Sequence, residues 1–183
     1  SVWSPGSYLK ASNTGADDEF GQSVSVGVNV LAVGAPKEDS AATGIGGDQL
    51  SNTAADSGAA YVFIAPSGVP AQQAYLKASN AGAGDEFGRR VAVSQLTVLV
   101  GAPLEDSSAT LVNGNGADNS LADSGAAYVF RRTATVWAQE AYLKAGSPGT
   151  LDQFGQSVGL DGSVAVVGAD QEDGGTLGVS GSQ

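Results

Sequence analysis

Apolar positions along the chain come in short runs, four to six residues long, separated by polar stretches rich in Gly, Ser, Asn and Asp. Ser23 to Val28 alternates, with Val24, Val26 and Val28 on one side, as a half-buried strand should. Arg90 to Ser94 repeats that pattern through Val91 and Val93. Val30–Val33, Val98–Val100 and Val164–Val167 are continuously apolar. Short apolar runs bounded by turns fit strands covered on both faces, so the sheet that holds them lies between two others. In Ala59 to Phe63, Tyr61 and Phe63 share one face and Ala60 and Val62 the other. Tyr8-Leu9-Lys10-Ala11 reads as a further short strand, and nowhere does a helical period compete.

These runs recur. Tyr8, Tyr75 and Tyr142 open three copies of YLKA spaced by 67 residues. Phe20-Gly21, Phe87-Gly88 and Phe154-Gly155 keep the same step, as do Gly34-Ala35, Gly101-Ala102 and Gly168-Ala169. Asp56 to Phe63 returns as Asp123 to Phe130. A fixed period of this size marks an array of one supersecondary unit, of which 183 residues hold about 2.7 copies. The copies divide as 1–74, 75–141 and a partial 142–183. Each supplies four short strands: the YLKA strand, the Phe-Gly strand, the Gly-Ala-Pro strand and the AAYVF strand. The expected fold is therefore all-β, an incomplete array of four-stranded antiparallel β-propeller blades, with a β-solenoid as the alternative. The loops Ser40–Ala55 and Ser107–Ala122 differ in sequence but not in length, which calls for something repeated beneath them.

Composition narrows the function. A net charge of −11 argues against nucleic acid and anionic membrane surfaces, and no apolar stretch is long enough for a membrane span. With no Cys there is no disulfide or thiolate site, and with no His there is no Ser-His triad. Met is also absent and Ser1 comes first, the mark of a processed or partial chain, and no leader peptide is visible. A pair of carboxylates for glycoside hydrolysis stays open among 19 acids, although residues repeated in every copy point to structure, because an active site normally occurs once.

The pairing of Phe-Gly with a following Gly-Ala-Pro, alongside YLKAS and GAAYVF elements, resembles the FG-GAP repeat of integrin α-subunit propellers and, more closely, bacterial FG-GAP proteins. The resemblance covers nearly the whole chain, and departs where Gly168-Ala169-Asp170 lacks the proline. It implies a propeller of about seven blades, extracellular or on a bacterial cell surface, used for adhesion or as a scaffold. Many such repeats carry a DxDxDG calcium loop between their first two strands. The corresponding turns in this chain, Gly27–Val30, Ser94–Thr97 and Asp161–Ser163, hold at most one carboxylate, so that site does not carry over.

Acids gather elsewhere. Glu38, Asp39 and Asp56 in one copy, and Glu105, Asp106 and Asp123 in the next, would meet at one end of a blade if the long loop folds back. Six to eight oxygens of this kind suit calcium, so these six residues are the candidate Ca2+ ligands. The competing reading is a solvated loop with Asp56 and Asp123 holding turns before Gly58 and Gly125. Asp18, Asp85 and Asp152, each two before a Phe-Gly phenylalanine, are expected to hold backbone N–H groups of the turn rather than a metal. Lys10, Lys77 and Lys144 are expected to pair with them at the surface. Trp3 and Trp137 pack at a blade edge or offer a sugar platform, and Arg89-Arg90 is a weak candidate patch.

An unclosed array leaves an apolar face at each end. The expected partners are a second copy joined head to tail, in a ring or fibre, or the remaining blades of a longer chain. The expected function is a non-enzymatic extracellular scaffold. The alternatives are an adhesion module that binds a protein or glycan through loops, and a polysaccharide-active enzyme.

Overall fold

The computed structural model describes residues 6–174. All regular structure among them is β: β1 (Ser23–Val26), β2 (Val30–Ala35), β3 (Ala59–Ile64), β4 (Ala71–Leu76), β5 (Arg90–Ser94), β6 (Thr97–Ala102), β7 (Ala126–Thr133), β8 (Val136–Leu143), β9 (Ser157–Asp161) and β10 (Val164–Gly168). They form two four-stranded sheets, ordered β1-β2-β3-β4 and β5-β6-β7-β8, and a two-stranded sheet of β9 and β10, antiparallel throughout. These are propeller blades, two whole and one partial.

The YLKA segment is the fourth strand of the blade begun by the preceding copy: Tyr75 pairs with Tyr61, and Tyr142 with Tyr128. The sequence repeat and the blade are thus out of phase, and β4 runs across the 74/75 division of the repeats. Tyr8–Ala11, expected as a strand, is not one. The physical reason is the same: the described residues hold no AAYVF strand ahead of it. Tyr8 is 86% exposed, whereas Tyr75 is buried.

Blades stack face to face. Val30, Ala32, Ala60, Val62, Ala74 and Leu76 of the first blade form one core with Phe87, Val91, Val93, Val98, Val100, Tyr128 and Phe130 of the second. A second core joins Ala92, Leu99 and Ala127 to Phe154, Val158, Leu160 and Val167 of the third. The middle blade is therefore covered on both faces, and β6 is buried along its whole length. Each fully buried valine or leucine contributes about 1.5–3 kcal/mol, so neighbours rather than single sheets stabilise the array.

The motif glycines set how closely the blades approach. A Cβ on Gly34 would lie 1.9 Å from the Gly88 carbonyl oxygen, and one on Gly101 would lie 2.1 Å from that of Gly155. Gly88 and Gly155 have φ of 95° and 104° and press against the Ala59 and Ala126 carbonyls. So the Phe-Gly of one blade rests on the Gly-Ala of the blade before it. Backbone bonds complete the joint: Phe87 N–H donates to Ser57 O (3.2 Å), and Phe154 N–H to Ser124 O (3.1 Å). A bulge between Val62 and Phe63 leaves Gln73 unpaired in β4. Its side chain accepts the Trp137 indole N–H of the next blade at 2.9 Å.

Candidate functional site

The most developed polar constellation lies where each long loop returns to the next YLKA strand. Residues 44–46 hydrogen-bond along Tyr75–Ala78, and Leu111 and Asn113 do the same along Tyr142–Ala145. Each loop is therefore laid on a repeated strand, which accounts for the equal loop lengths. The fold-back turns Glu38 inward, next to Lys77.

Lys77 and Glu38 are buried, with Nζ and Oε2 2.9 Å apart. Lys77 Nζ also donates to Ser57 Oγ at 2.7 Å. The other carboxylate oxygen, Glu38 Oε1, accepts Asn13 Nδ2 at 2.8 Å. Asn13 Oδ1 in turn accepts the Tyr61 hydroxyl at 2.7 Å. The second copy reproduces the set. Lys144 Nζ lies 2.7 Å from Glu105 Oε2 and 2.7 Å from Ser124 Oγ. Asn80 Nδ2 donates to Glu105 Oε1 at 2.8 Å, and Tyr128 OH to Asn80 Oδ1 at 2.9 Å. Tyr142 OH adds a further bond to Glu105 Oε1 at 2.8 Å. Burial pulls both lysines below the usual ammonium range, against the facing glutamates, which pull them up. Burial also pushes the Tyr61 and Tyr128 hydroxyls well above their ordinary range, so both stay hydrogen-bond donors.

This arrangement corrects the expected surface pairing of Lys77 and Lys144 with Asp85 and Asp152. The lysines are buried and bonded to glutamates, while Lys10, with no such loop over it, is exposed and sits 5.8 Å from the Tyr8 ring centre. The three aspartates do hold turns. Gly15, Gly82 and Gly149 N–H groups donate to Asp18, Asp85 and Asp152 at 2.7, 2.8 and 2.5 Å. Asp85 is buried, and its carboxyl is pushed up to about 7, chiefly by desolvation, with Glu105 and Asp106 adding to the rise.

The six candidate calcium ligands take separate roles. Glu38 and Glu105 face lysines. Asp39 and Asp106 accept the backbone N–H of Asp56 and Asp123 at 2.9 and 2.8 Å. Asp56 and Asp123 themselves sit in the left-handed region, at φ of 52° and 51°. Among the described residues, no group of three or more Asp or Glu side chains is arranged to hold a metal ion. The β1–β2 turn carries no carboxylate, so the DxDxDG type of site does not fit there either. Arg89 pairs with Glu86 at 3.0 Å and Arg90 bonds the Arg89 carbonyl, so the two do not present a joint patch. Trp137 is buried between blades, not open as a platform, and Trp3 lies outside the described residues.

Sequence reasoning missed Asn13 and Asn80, and it assigned Lys77 and Lys144 to the wrong acids. The signal was present: Asn, Glu, Ser, Tyr and Lys all keep the 67-residue step.

The FG-GAP repeat family profile matches residues 3–63, 70–130 and 137–183, nearly the whole chain. The chain belongs to the FG-GAP repeat family. No curated protein matches it. The second and third matched repeats straddle two blades: 70–130 supplies β4 to the first sheet and β5, β6 and β7 to the second, and 137–183 supplies β8 to the second and β9 and β10 to the third. Repeats of this family are typical of extracellular or adhesion-related proteins and are generally non-enzymatic. No helix among the described residues is long and apolar enough to cross a membrane.

Proposed function

We propose that this chain is a non-enzymatic extracellular scaffold whose terminal blade faces are covered by further blades of the same kind, from a second copy or from more repeats of a longer chain. One observation carries this reading. Val91 and Val93 in β5 are buried by the preceding blade, while the equivalent Val24 and Val26 in β1 are 65% and 71% exposed. At the far end Val164 and Val166 are 63% and 65% exposed, where the equivalent Thr97 and Leu99 of the middle blade are buried. The two open faces are the complementary halves of the joint made twice inside the chain, so copies can add head to tail.

Sedimentation velocity on the 183-residue chain across a concentration series tests the reading. Reversible association is expected, and V24D/V26D should abolish it without lowering the melting temperature of the inner blades. A chain that stays monomeric at the highest concentrations would remove self-assembly. A longer natural polypeptide with further in-phase copies would then account for the cover.

A further inference from the structure

The paired constellations around Glu38 and Glu105 contain more than an ion pair. In each, one buried carboxylate accepts a lysine ammonium on one oxygen and an asparagine side-chain amide on the other. A tyrosine hydroxyl holds the amide oxygen from the far side. Around each shared carboxylate, a buried amine nucleophile, a half-buried amide electrophile, a proton carrier and an oxyanion donor are thus joined in one hydrogen-bonded chain, twice, at homologous positions.

We propose that Lys77 and Asn13, and likewise Lys144 and Asn80, join spontaneously as side-chain amide bonds. In the first site Glu38 takes a proton from Lys77 Nζ, leaving a neutral amine. That amine attacks Asn13 Cγ, and a C–N bond forms. The negative charge that develops on Asn13 Oδ1 is held by the Tyr61 hydroxyl. Glu38 passes its proton to Asn13 Nδ2 and removes one from the incoming nitrogen. The Cγ–Nδ2 bond breaks, ammonia leaves, and a secondary amide remains between the two side chains, with Glu38 protonated. No oxidant, metal or cofactor enters the balance. Burial favours the first step, because it disfavours the ammonium relative to the amine. Glu105, Tyr128, Lys144 and Asn80 repeat the chemistry. In the third copy Ser147 stands where Asn13 and Asn80 stand, so that copy offers no amide to attack.

The bond has a mechanical consequence. Asn13 precedes β1, and Lys77 directly follows β4, the outermost strand of the same blade. A bond between them closes the blade, so tension along the chain cannot peel β4 away. A chain with no cysteine would gain a covalent staple by this route.

Intact-mass measurement on the purified full chain tests the proposal, with no need for a variant. The mass should fall short of the sequence mass by two ammonias. A succinimide at Asn113-Gly114 or Asn115-Gly116 also sheds ammonia, so the linkage is read in a tryptic digest. There the peptide from Ala11 to Lys37 should be attached through Lys77, which trypsin then leaves uncut. N13A/N80A, at half-buried positions, should restore the full mass in the same digest, and so should E38Q/E105Q. A native chain at full sequence mass, or a shortfall that survives N13A/N80A, would overturn the proposal and leave the constellations as ion pairs.

Discussion

The first and second blades carry the same strand motifs at the same spacing, yet their leading faces have opposite fates. Val91 and Val93 are buried against a neighbour, while Val24 and Val26 stand in solvent. Tyr75 and Tyr142 are buried fourth-strand residues, while Tyr8 is free of any sheet. Part of the first blade is nevertheless covered from within: Phe20 packs edge-on against Tyr61 and Phe63, with ring centres 5.3 and 6.4 Å apart. Phe87 does the same against Tyr128 and Phe130. The aromatic end of a blade closes on itself, then, whereas its valine end depends on the next blade. Burial in this architecture is a property of the joint, not of the strand.

Substitutions at equivalent positions break or sharpen that contrast. The largest difference is expected at the lysines. Lys144→Met strands the buried Glu105 carboxylate and should cost about 3–5 kcal/mol in chemical denaturation. Lys10→Met, at an exposed position, should change stability by less than about 0.5 kcal/mol. Equal effects would show that the Glu105 pair is not held apart from water.

The glycines come next. Gly101→Ala drives a methyl into the Gly155 carbonyl and should cost about 1–3 kcal/mol. At Gly168, the same motif position with no blade beyond it among the described residues, a methyl would meet the movable Ser157 side chain first. Gly168→Ala should therefore shift the urea midpoint little.

A smaller difference is expected at the valines. Val91→Thr buries a hydroxyl and should cost about 1–2 kcal/mol, against near zero for Val24→Thr, as read by thermal melts. If the first blade's face is covered in an assembly, Val24→Thr gains a cost only at concentrations where the chain associates.

The smallest effect depends on pH. The folded carboxyl of Asp85 is raised from 3.8 to about 7, so the folded state holds that proton more tightly than the unfolded chain does. Its contribution is fully favourable below pH 3.8 and is lost as pH rises through about 7. Asp85→Asn keeps an oxygen for the Gly82 N–H and removes the charge. It should leave the melting temperature unchanged near pH 4 and raise it by a few degrees at pH 8, as about 1 kcal/mol does in a domain of this size. A gain independent of pH would assign the effect to packing instead.

Much of the fold was legible because its determinants are local and repeated. Alternating valines, apolar runs and turn residues marked the strands, and the 67-residue step marked the unit. Asp18, Asp85 and Asp152 were legible as turn residues for the same reason, since each bonds a glycine three residues away. The candidate site was much less so. Lys77 is 39 residues from Glu38 and 64 from Asn13, and no local pattern links a lysine to one acid among many. Charge alone pointed to the nearest aspartate and to a solvated pair.

The sequence by itself determined the 67-residue unit, most of its strands and their antiparallel blade, since these follow from side-chain alternation, turn residues and the fixed period. Only the tertiary structure decided which copy lends its YLKA strand to which blade, and that the long loop folds back to bury Glu38 and Glu105 on lysines. Those choices are made by contacts between residues far apart in the chain, where the free energy of desolvating a charge is recovered only if one particular partner lies within hydrogen-bond reach.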